Sequence, residues 1–429
     1  MDSKTPLKVH LSAYYKRSFA FYTIKERLPV ILTHIIDHLV RDKDNIVQEY
    51  GEEAREEIKS VVGEISKLKY ELQTNKPLNE LDSPEPDAAI YNRYLIEQSQ
   101  ADGKSRYFTA IWLHAECYIY RRVRNLFENT TSLNNFDPFA KQKKDGFTQS
   151  LNGIIALSEY LLPLVQKPEK VDVEAELLRL LKLNLWGNRC DLSISAGADN
   201  SQNVNPLTFL DKYECCILSD QSCQIWTGLN ESTDSGVIDF INDNAGYEMF
   251  TDFCLADFLI THKLAEKICF NIKSIPWFIS DATPNDFQWI IQSLVDSDNE
   301  ILRTIGTRWR NYLNENVWTY KTDDFWTLPY DFTYMKAQSP SLYQRLSESK
   351  LLIFKGDLNY RKLFGEINWE PSTPVTEALQ GFQPTKLCTL RTVKADIVCG
   401  LRKGQAEKLD EKDPLWMTTG HYGLIQYSE

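Results

Sequence analysis

An apolar run, Val237-Ile238-Asp239-Phe240-Ile241, stops on Asn242, Asp243 and Asn244, then passes through Ala245 and Gly246 to Tyr247 and Glu248. A β-strand that ends on acceptor side chains and turns at once into a helix sets a carboxylate and an amide oxygen at the carboxyl edge of a sheet, where α/β proteins bind ligands. Such oxygens suit a hard or borderline divalent cation. Downstream, Trp277-Phe278-Ile279-Ser280-Asp281 repeats the design: a short aromatic and aliphatic run reads as a strand ending on Asp281, with Pro284 placed to open the next helix. Asp243, Asn244 and Asp281 are therefore three oxygen ligands expected from two neighbouring strand ends.

Two further stretches add groups for an anion. Leu351-Leu352-Ile353-Phe354 reads as a buried strand, followed by Gly356 and a polar turn with Asp357, Leu358, Asn359, Tyr360 and Arg361. A glycine at a strand exit lets backbone N–H groups approach an anion closely, and Arg361 adds a bidentate fork for phosphate or carboxylate. In Leu390-Arg391-Thr392-Val393-Lys394 another apolar run enters a charged turn. There Lys394 offers a compact charge to a phosphoryl group that is bound and then released.

Each piece also has a structural reading. Asp243 and Asn244 are candidate caps for the helix after them, as is Asp281 ahead of Thr283 and Pro284. Arg361 fits a solvated turn with one salt bridge, and Arg391 with Lys394 fits a solvated face. Adjacent residues seldom cap one helix, however, and Asp281 occupies the equivalent place one strand further on. The constellation outweighs its members. Other chemistries lack their minimum parts: there is no GxxxxGK[ST] loop, no GxSxG elbow and no GxGxxG fingerprint. His34 and His38 have the spacing of paired ligands but no glutamate in an HExxH arrangement, so they read as a helix surface.

The elements that position these residues change along the chain. Ile24, Leu28, Leu32, Ile35 and Leu39, then Ile58, Val61, Ile65, Leu68 and Leu72, recur at helical spacing. Three prolines between Lys76 and Asp87 break the pattern. A third helix over residues 108–127 carries Arg121, Arg122 and Arg124 near its carboxyl end, where cations complement the dipole. Helical spacing continues to about residue 185. Beyond it, β-branched and aromatic runs at 237–241, 267–272, 277–279, 351–354 and 387–390 alternate with helical segments, which implies a mostly parallel sheet with helices on both faces. The reading is a helical domain over 1–185 and an α/β domain over 186–429. The polar stretch 199–205 reads as a loop, and Trp186 before Gly187 reads as a candidate pocket residue.

The chain has 429 residues, 42% hydrophobic and 25% charged, enough for a large core. A net charge of −12 argues against a nucleic-acid-binding surface. Nine scattered cysteines, without paired CxxC motifs, read as free thiols, with Cys254 and Cys269 in the core. Neither a signal peptide nor an apolar stretch of about 18 residues is present. The expected location is intracellular, in the cytoplasm or nucleus, with no nucleic-acid or membrane partner.

Taken together, the 238–248 stretch, Ile275-Pro-Trp-Phe-Ile-Ser-Asp281, Phe354-Lys-Gly-Asp-Leu-Asn-Tyr-Arg-Lys362 and Arg391-Thr-Val-Lys394 resemble the metal-dependent damage-control phosphatases. The likeness is to the eukaryotic branch with an Arg-Thr-x-Lys motif, also called acidic residue methyltransferase. It extends to residues 68–77, 102–106 and 185–193. The resemblance implies a helical N-terminal region on a Rossmann-like three-layer α/β/α core. It implies hydrolysis of sugar phosphates such as fructose 1-phosphate and fructose 6-phosphate, supported by Mn²⁺, Co²⁺ or Ni²⁺ ahead of Mg²⁺. Carried over, Asp243, Asn244 and Asp281 hold the metal. Asp243, Asn244 and Asp357 to Arg361 (Leu358, Asn359 and Tyr360 included) contact substrate, and Lys394 binds its phosphate; Asp243, Asn244 and Lys394 form the catalytic set. Whether Asp243 only ligates or also attacks stays open. The alternative the same family implies is S-adenosylmethionine-dependent methylation of protein glutamates, with Glu248 and Asp281 at the S-adenosylmethionine site. Phosphoryl transfer ranks first, because it uses both a cation and an anion cradle.

Overall fold

The run that leads to Asp243 forms a strand, Val237–Ile241, whose β-branched and aromatic side chains are almost all buried. The computed structural model describes residues 1–99, 105–187, 189, 210, 212–231 and 236–429, and among these a single sheet has seven strands. They are β1 (Ile217–Asp220), β2 (Val237–Ile241), β3 (Lys267–Ile272), β4 (Trp318–Thr322), β5 (Leu351–Lys355), β6 (Leu387–Thr392) and β7 (Gly423–Ser428). Across the sheet they stand in the order β1-β7-β6-β5-β2-β3-β4, and every neighbouring pair is parallel except β6 with β7.

This order has a consequence for the site. From β2 the chain moves outward through β3 to β4, then returns to place β5 on the other side of β2. The direction of winding therefore reverses between β2 and β5, and the crevice beyond the carboxyl ends of strands at such a switch point is where α/β sheets bind ligands. The register pairs Ile238 with Leu351 and Ile241 with Phe354. Both strand exits thus lie level, with Asp243 beyond one and Gly356 and Asp357 beyond the other.

Helices carry the predicted stripes inward. In Leu28–Arg41 and Ala54–Gln73 the buried residues include Leu28, Leu32, Ile35 and Leu39, and Ile58, Val61, Ile65, Leu68 and Leu72, and the two helices pack on each other. The helix Tyr247–Thr261, which follows β2, is buried along nearly its whole length and carries Glu248, Asp252 and Asp257 inward among its apolar residues. It packs against Leu151–Gln166 and Val173–Gly187. One hydrophobic cluster consequently runs from Leu11 in the N-terminal region to Ile425 in β7.

Several local expectations change. Trp277 to Ile279 is not a strand, because Phe278 and Ile279 adopt φ of +43° and +71°. That left-handed region is one a β-branched residue enters only where its surroundings impose it. The segment after β5 is a helix, Gly356–Leu363, that begins directly at the strand end, not a turn. Arg391 and Lys394 are both buried, so they form no solvated face. Arg121 is buried within the helix Trp112–Glu128, where it bonds Asp87 and Glu128 instead of capping the dipole. Trp186 is buried against the ring of Tyr213, at 5.4 Å between centroids. Cys254 and Cys269 are core residues, and His34 is exposed, as expected. The stretch 199–205 lies outside the described residues, as do 102–104, 188 and 190–193 of the quoted motifs.

Candidate active site

Neither Asp243, Asn244 nor Asp281 serves as a helix cap. The helix after Asn244 has Gly246 at its N-cap and no side-chain cap bond. The helix Pro284–Val295 is capped by Thr283, whose hydroxyl and the Asp286 carboxylate form a reciprocal capping box, with Pro284 in the first turn. None of the three oxygens is spent on a helix cap.

They are brought together by backbone. An isolated antiparallel bridge pairs Asn244 with Asp281. Its hydrogen bonds run from Ala245 N–H to the Ser280 carbonyl at 2.7 Å and from Ala282 N–H to the Asp243 carbonyl at 2.8 Å. So the loop beyond β3, although no strand, is clamped to the exit of β2. On the opposite side Gly356, at φ +81°, lets the β5 exit approach Asp243 so closely that an added Cβ would lie 2.8 Å from Asp243 Cβ and nearer still to its carboxylate. Asn244 Nδ2 donates to Asp243 Oδ2 at 3.0 Å and to Glu248 Oε2 at 2.6 Å, while Ser280 Oγ donates to Asn244 Oδ1 at 2.5 Å. Lys273, just past β3, places Nζ 3.5 Å from Asp281 Oδ2 and donates to the Asn242 carbonyl at 3.1 Å.

The donor set fits a divalent cation. Two buried carboxylates and an amide oxygen that keeps a lone pair beyond the one Ser280 uses make a hard, anionic oxygen set. No group of three His, Cys, Asp or Glu side chains with metal-site geometry occurs among the described residues, and this set is not of that kind, since its third oxygen is an amide.

Asp243, Asp281, Asp357, Leu358, Arg361 and Lys394 line one partly open cavity. Asn244, Glu248, Asn359 and Tyr360 support it from behind. Asn359 Nδ2 bonds the carbonyls of Ile241 and Lys355 at 3.1 and 2.8 Å, tying the two strand exits together. The Tyr360 ring lies beneath the Arg391 guanidinium, 4.0 Å from its centroid, and its hydroxyl accepts from Cys399 N–H. Asp357 Oδ1 accepts from Arg391 Nε at 2.8 Å and from Lys394 N–H at 3.3 Å, so it organises the Arg-Thr-x-Lys segment. The Arg361 fork is shared: it bonds Glu366 and Glu116 at 2.9 and 2.7 Å and stacks 3.6 Å over Trp112. Burial opposes its charge, but the two glutamates more than compensate, while burial pushes Glu366 up to about 7 against the pull of Arg361.

Five further residues line the cavity: Phe19, Arg27, Trp112, Glu116 and Phe278. Four come from the N-terminal region, which sequence reading treated as scaffold. Arg27 left a trace, since it falls between Ile24 and Ile31 on a stripe that is otherwise apolar. Glu116 left none, because its partner Arg361 is 245 residues away.

Three buried carboxylates and a lysine around one small cavity, at the switch point of a mostly parallel sheet, fit a phosphate-handling enzyme of the α/β class. Comparison with known proteins agrees. Residues 23–409 match the family described as Damage-control phosphatase ARMT1-like domain. Proteins named Damage-control phosphatase ARMT1 from Danio rerio, Mus musculus and Homo sapiens are 42%, 41% and 41% identical, over 97%, 97% and 96% of this chain and 96%, 98% and 96% of theirs. A solved DUF89 family protein from Pyrococcus horikoshii matches at TM-score 0.43 and 14% identity over 93% of this chain and 98% of its own, too distant to bear on the site. The chain belongs to the ARMT1-like damage-control phosphatase family, and it is a hydrolase of the phosphatase type. Among the described residues no helix is long and apolar enough to cross a membrane.

Proposed function

We propose that this chain hydrolyses small polyhydroxy phosphomonoesters, sugar phosphates such as fructose 1-phosphate and fructose 6-phosphate, in a cation-dependent reaction of metabolite damage control. The observation that carries this reading is the convergence of Asp243, Asp281, Asp357 and Lys394 on one cavity. Asp243, Asn244 and Asp281 would hold Mn²⁺, Co²⁺ or Ni²⁺, and a cation bound there supplies a Lewis acid that draws charge from the phosphoryl group. The Lys394 ammonium binds a phosphoryl oxygen and offsets the negative charge that spreads over the oxygens in the transition state. Asp357 holds the Lys394 backbone and Arg391 in place for that contact. Glu248, which the methyl-transfer alternative gives to S-adenosylmethionine, bonds Asn244 and Lys355 behind the cavity, and this favours phosphoryl chemistry. Small size and a charge of −12 disfavour nucleic acids and phosphoproteins. Free thiols at the eight described cysteines fit work in the cytoplasm or nucleus.

The test is a screen of sugar phosphates, nucleotides, a phosphopeptide and an aryl phosphate against Mn²⁺, Co²⁺, Ni²⁺ and Mg²⁺, with Asp281→Ala alongside. Turnover of sugar phosphates that requires a cation and Asp281 supports the reading. Equal turnover of phosphopeptide and sugar phosphate, or turnover in chelator, contradicts it.

A further inference from the structure

Behind the oxygen set lies a buried polar chain that the proposed reaction does not touch. Glu248, in the first turn of Tyr247–Thr261, is 1% exposed. Its Oε2 accepts from Asn244 Nδ2 at 2.6 Å and its Oε1 from Lys355 Nζ at 2.9 Å. Lys355 also bonds Asp252 Oδ1 at 2.9 Å and the Asn184 carbonyl at 3.2 Å. Asp252 in turn accepts from Asn184 Nδ2 and Asn242 Nδ2 at 2.7 and 2.8 Å. Burial works against the Lys355 ammonium, but Asp252 and Glu248 outweigh it and hold the lysine above its ordinary value.

The chain bears on one atom of the site. An amide can turn over and present either its oxygen or its nitrogen at little intrinsic cost, and only the oxygen can ligate a cation. Both Asn244 N–H groups are aimed at carboxylates, of Asp243 and of Glu248, and its oxygen at a hydroxyl donor. Resting on the cation reading above, we propose that Glu248 is a positioning residue: with Lys355 as counter-charge it fixes the Asn244 amide so that the oxygen, not the nitrogen, faces the bound cation. Partners of this kind, one shell removed from a metal, orient its ligands, and their loss costs about 10- to 100-fold in metal affinity.

Glu248→Gln gives the test a sharp form. Lys355 and Asn244 donate to different oxygens of Glu248, and Gln has one acceptor oxygen to offer instead of two. The charged lysine takes it, the Gln nitrogen then faces the Asn244 N–H it cannot accept, and only Asp243 is left to hold the amide in its orientation. Calorimetric titration with Mn²⁺ should show affinity weakened by about 10- to 100-fold, with the melting temperature measured alongside. In an Asn244→Asp background there is no amide to orient, and Glu248 instead faces a like charge, so adding Glu248→Gln should leave Mn²⁺ affinity unchanged or improved. Adding Lys355→Met to Glu248→Gln frees the Gln oxygen for Asn244 and should restore most of the affinity. This double variant carries the test if Glu248→Gln alone does not fold.

Wild-type Mn²⁺ affinity in Glu248→Gln, the same loss in the Asn244→Asp background, or no recovery in the double variant would overturn the positioning role while the cation reading stands. If Asp281→Ala also binds Mn²⁺ as the wild type does, the cation reading fails and takes this proposal with it.

Discussion

Gly356 and Asp243 meet across the switch point of the sheet: the left-handed glycine at the exit of β5 leaves only the space of a hydrogen atom against the Asp243 side chain at the exit of β2. Gly356→Ala must therefore move either the strand exit or the carboxylate. It should lower kcat/KM on the order of 10²-fold, the scale of a displaced catalytic group. Backbone strain adds about 1 kcal/mol of destabilisation. Gly404 has nearly the same φ, +82°, with nothing within 4 Å of an added Cβ. Gly404→Ala should show the strain without the loss of activity, and comparing kcat/KM and melting temperature in the two variants separates the effects.

Asp243→Ala and Asp281→Ala should both abolish cation-dependent turnover, but they should differ in stability. Removing Asp281 leaves the Lys273 ammonium buried without its carboxylate, a cost on the order of 1–3 kcal/mol. Removing Asp243 takes away a carboxylate that faces Asn244 and the tight Gly356 turn, so the metal-free protein should lose less. Urea unfolding in chelator measures the difference, and equal loss in the two variants would show that Lys273 does not depend on Asp281.

These distinctions mark how far the sequence could be read. That Asp243, Asp281 and Lys394 come to one cavity was legible, because acceptor residues at the end of an apolar run leave a local pattern and Lys394 follows another such run, whereas the place of Asn244 behind that cavity was not. Pro284 announced its helix, while the cap fell to Thr283 and not to Asp281. Phe278 and Ile279 were misread as a strand, since their residue types favour one and only tertiary packing forces the left-handed backbone. The partners of Arg361 were invisible: a salt bridge to Glu116 spans most of the chain and leaves no local spacing. Phe19 and Trp112 were missed likewise, because a wall supplied by a distant helical segment follows from packing alone, and of that wall only Arg27 left a trace, as a charge on an apolar stripe.

Lys394→Met keeps the stem and deletes the charge, and should lower kcat/KM by about 10²-fold or more. Lys394→Arg should recover little. Gly420 flanks the lysine stem, with the position of an added Cβ 3.3 Å from Lys394 Cε, so the wider planar guanidinium has little room and does not replace a point charge. Steady-state kinetics on one sugar phosphate with all three proteins checks this, and equal activity would remove Lys394 from the phosphate contact.

Asp396, two residues beyond Lys394, accepts from Phe19 N–H at 2.6 Å and so joins the N-terminal wall of the cavity to the Arg-Thr-x-Lys segment. Burial lifts its carboxyl from 3.8 to about 6, more than the Phe19 N–H lowers it. The folded chain therefore keeps a proton there that the unfolded chain releases. This contribution to stability is full below pH 3.8 and is lost as the pH rises through about 6. Asp396→Asn keeps the acceptor and removes the titration. Relative to the wild type it should gain on the order of 3 kcal/mol between acid and neutral pH. Denaturant unfolding of both proteins on either side of that window measures it, and a constant difference across the range would exclude Asp396 as the source.

The most direct measurement is hydrolysis of fructose 1-phosphate by enzyme stripped of metal with a chelator, with Mn²⁺ then titrated back, in the wild type and in Asp243→Ala. The stripped wild type should be inactive and recover with a saturable dependence on Mn²⁺, while Asp243→Ala stays inactive at every concentration despite a folded structure. Full activity in the stripped wild type, or near wild-type turnover by Asp243→Ala with Mn²⁺, would contradict a cation held by Asp243, Asn244 and Asp281 at the heart of this phosphatase.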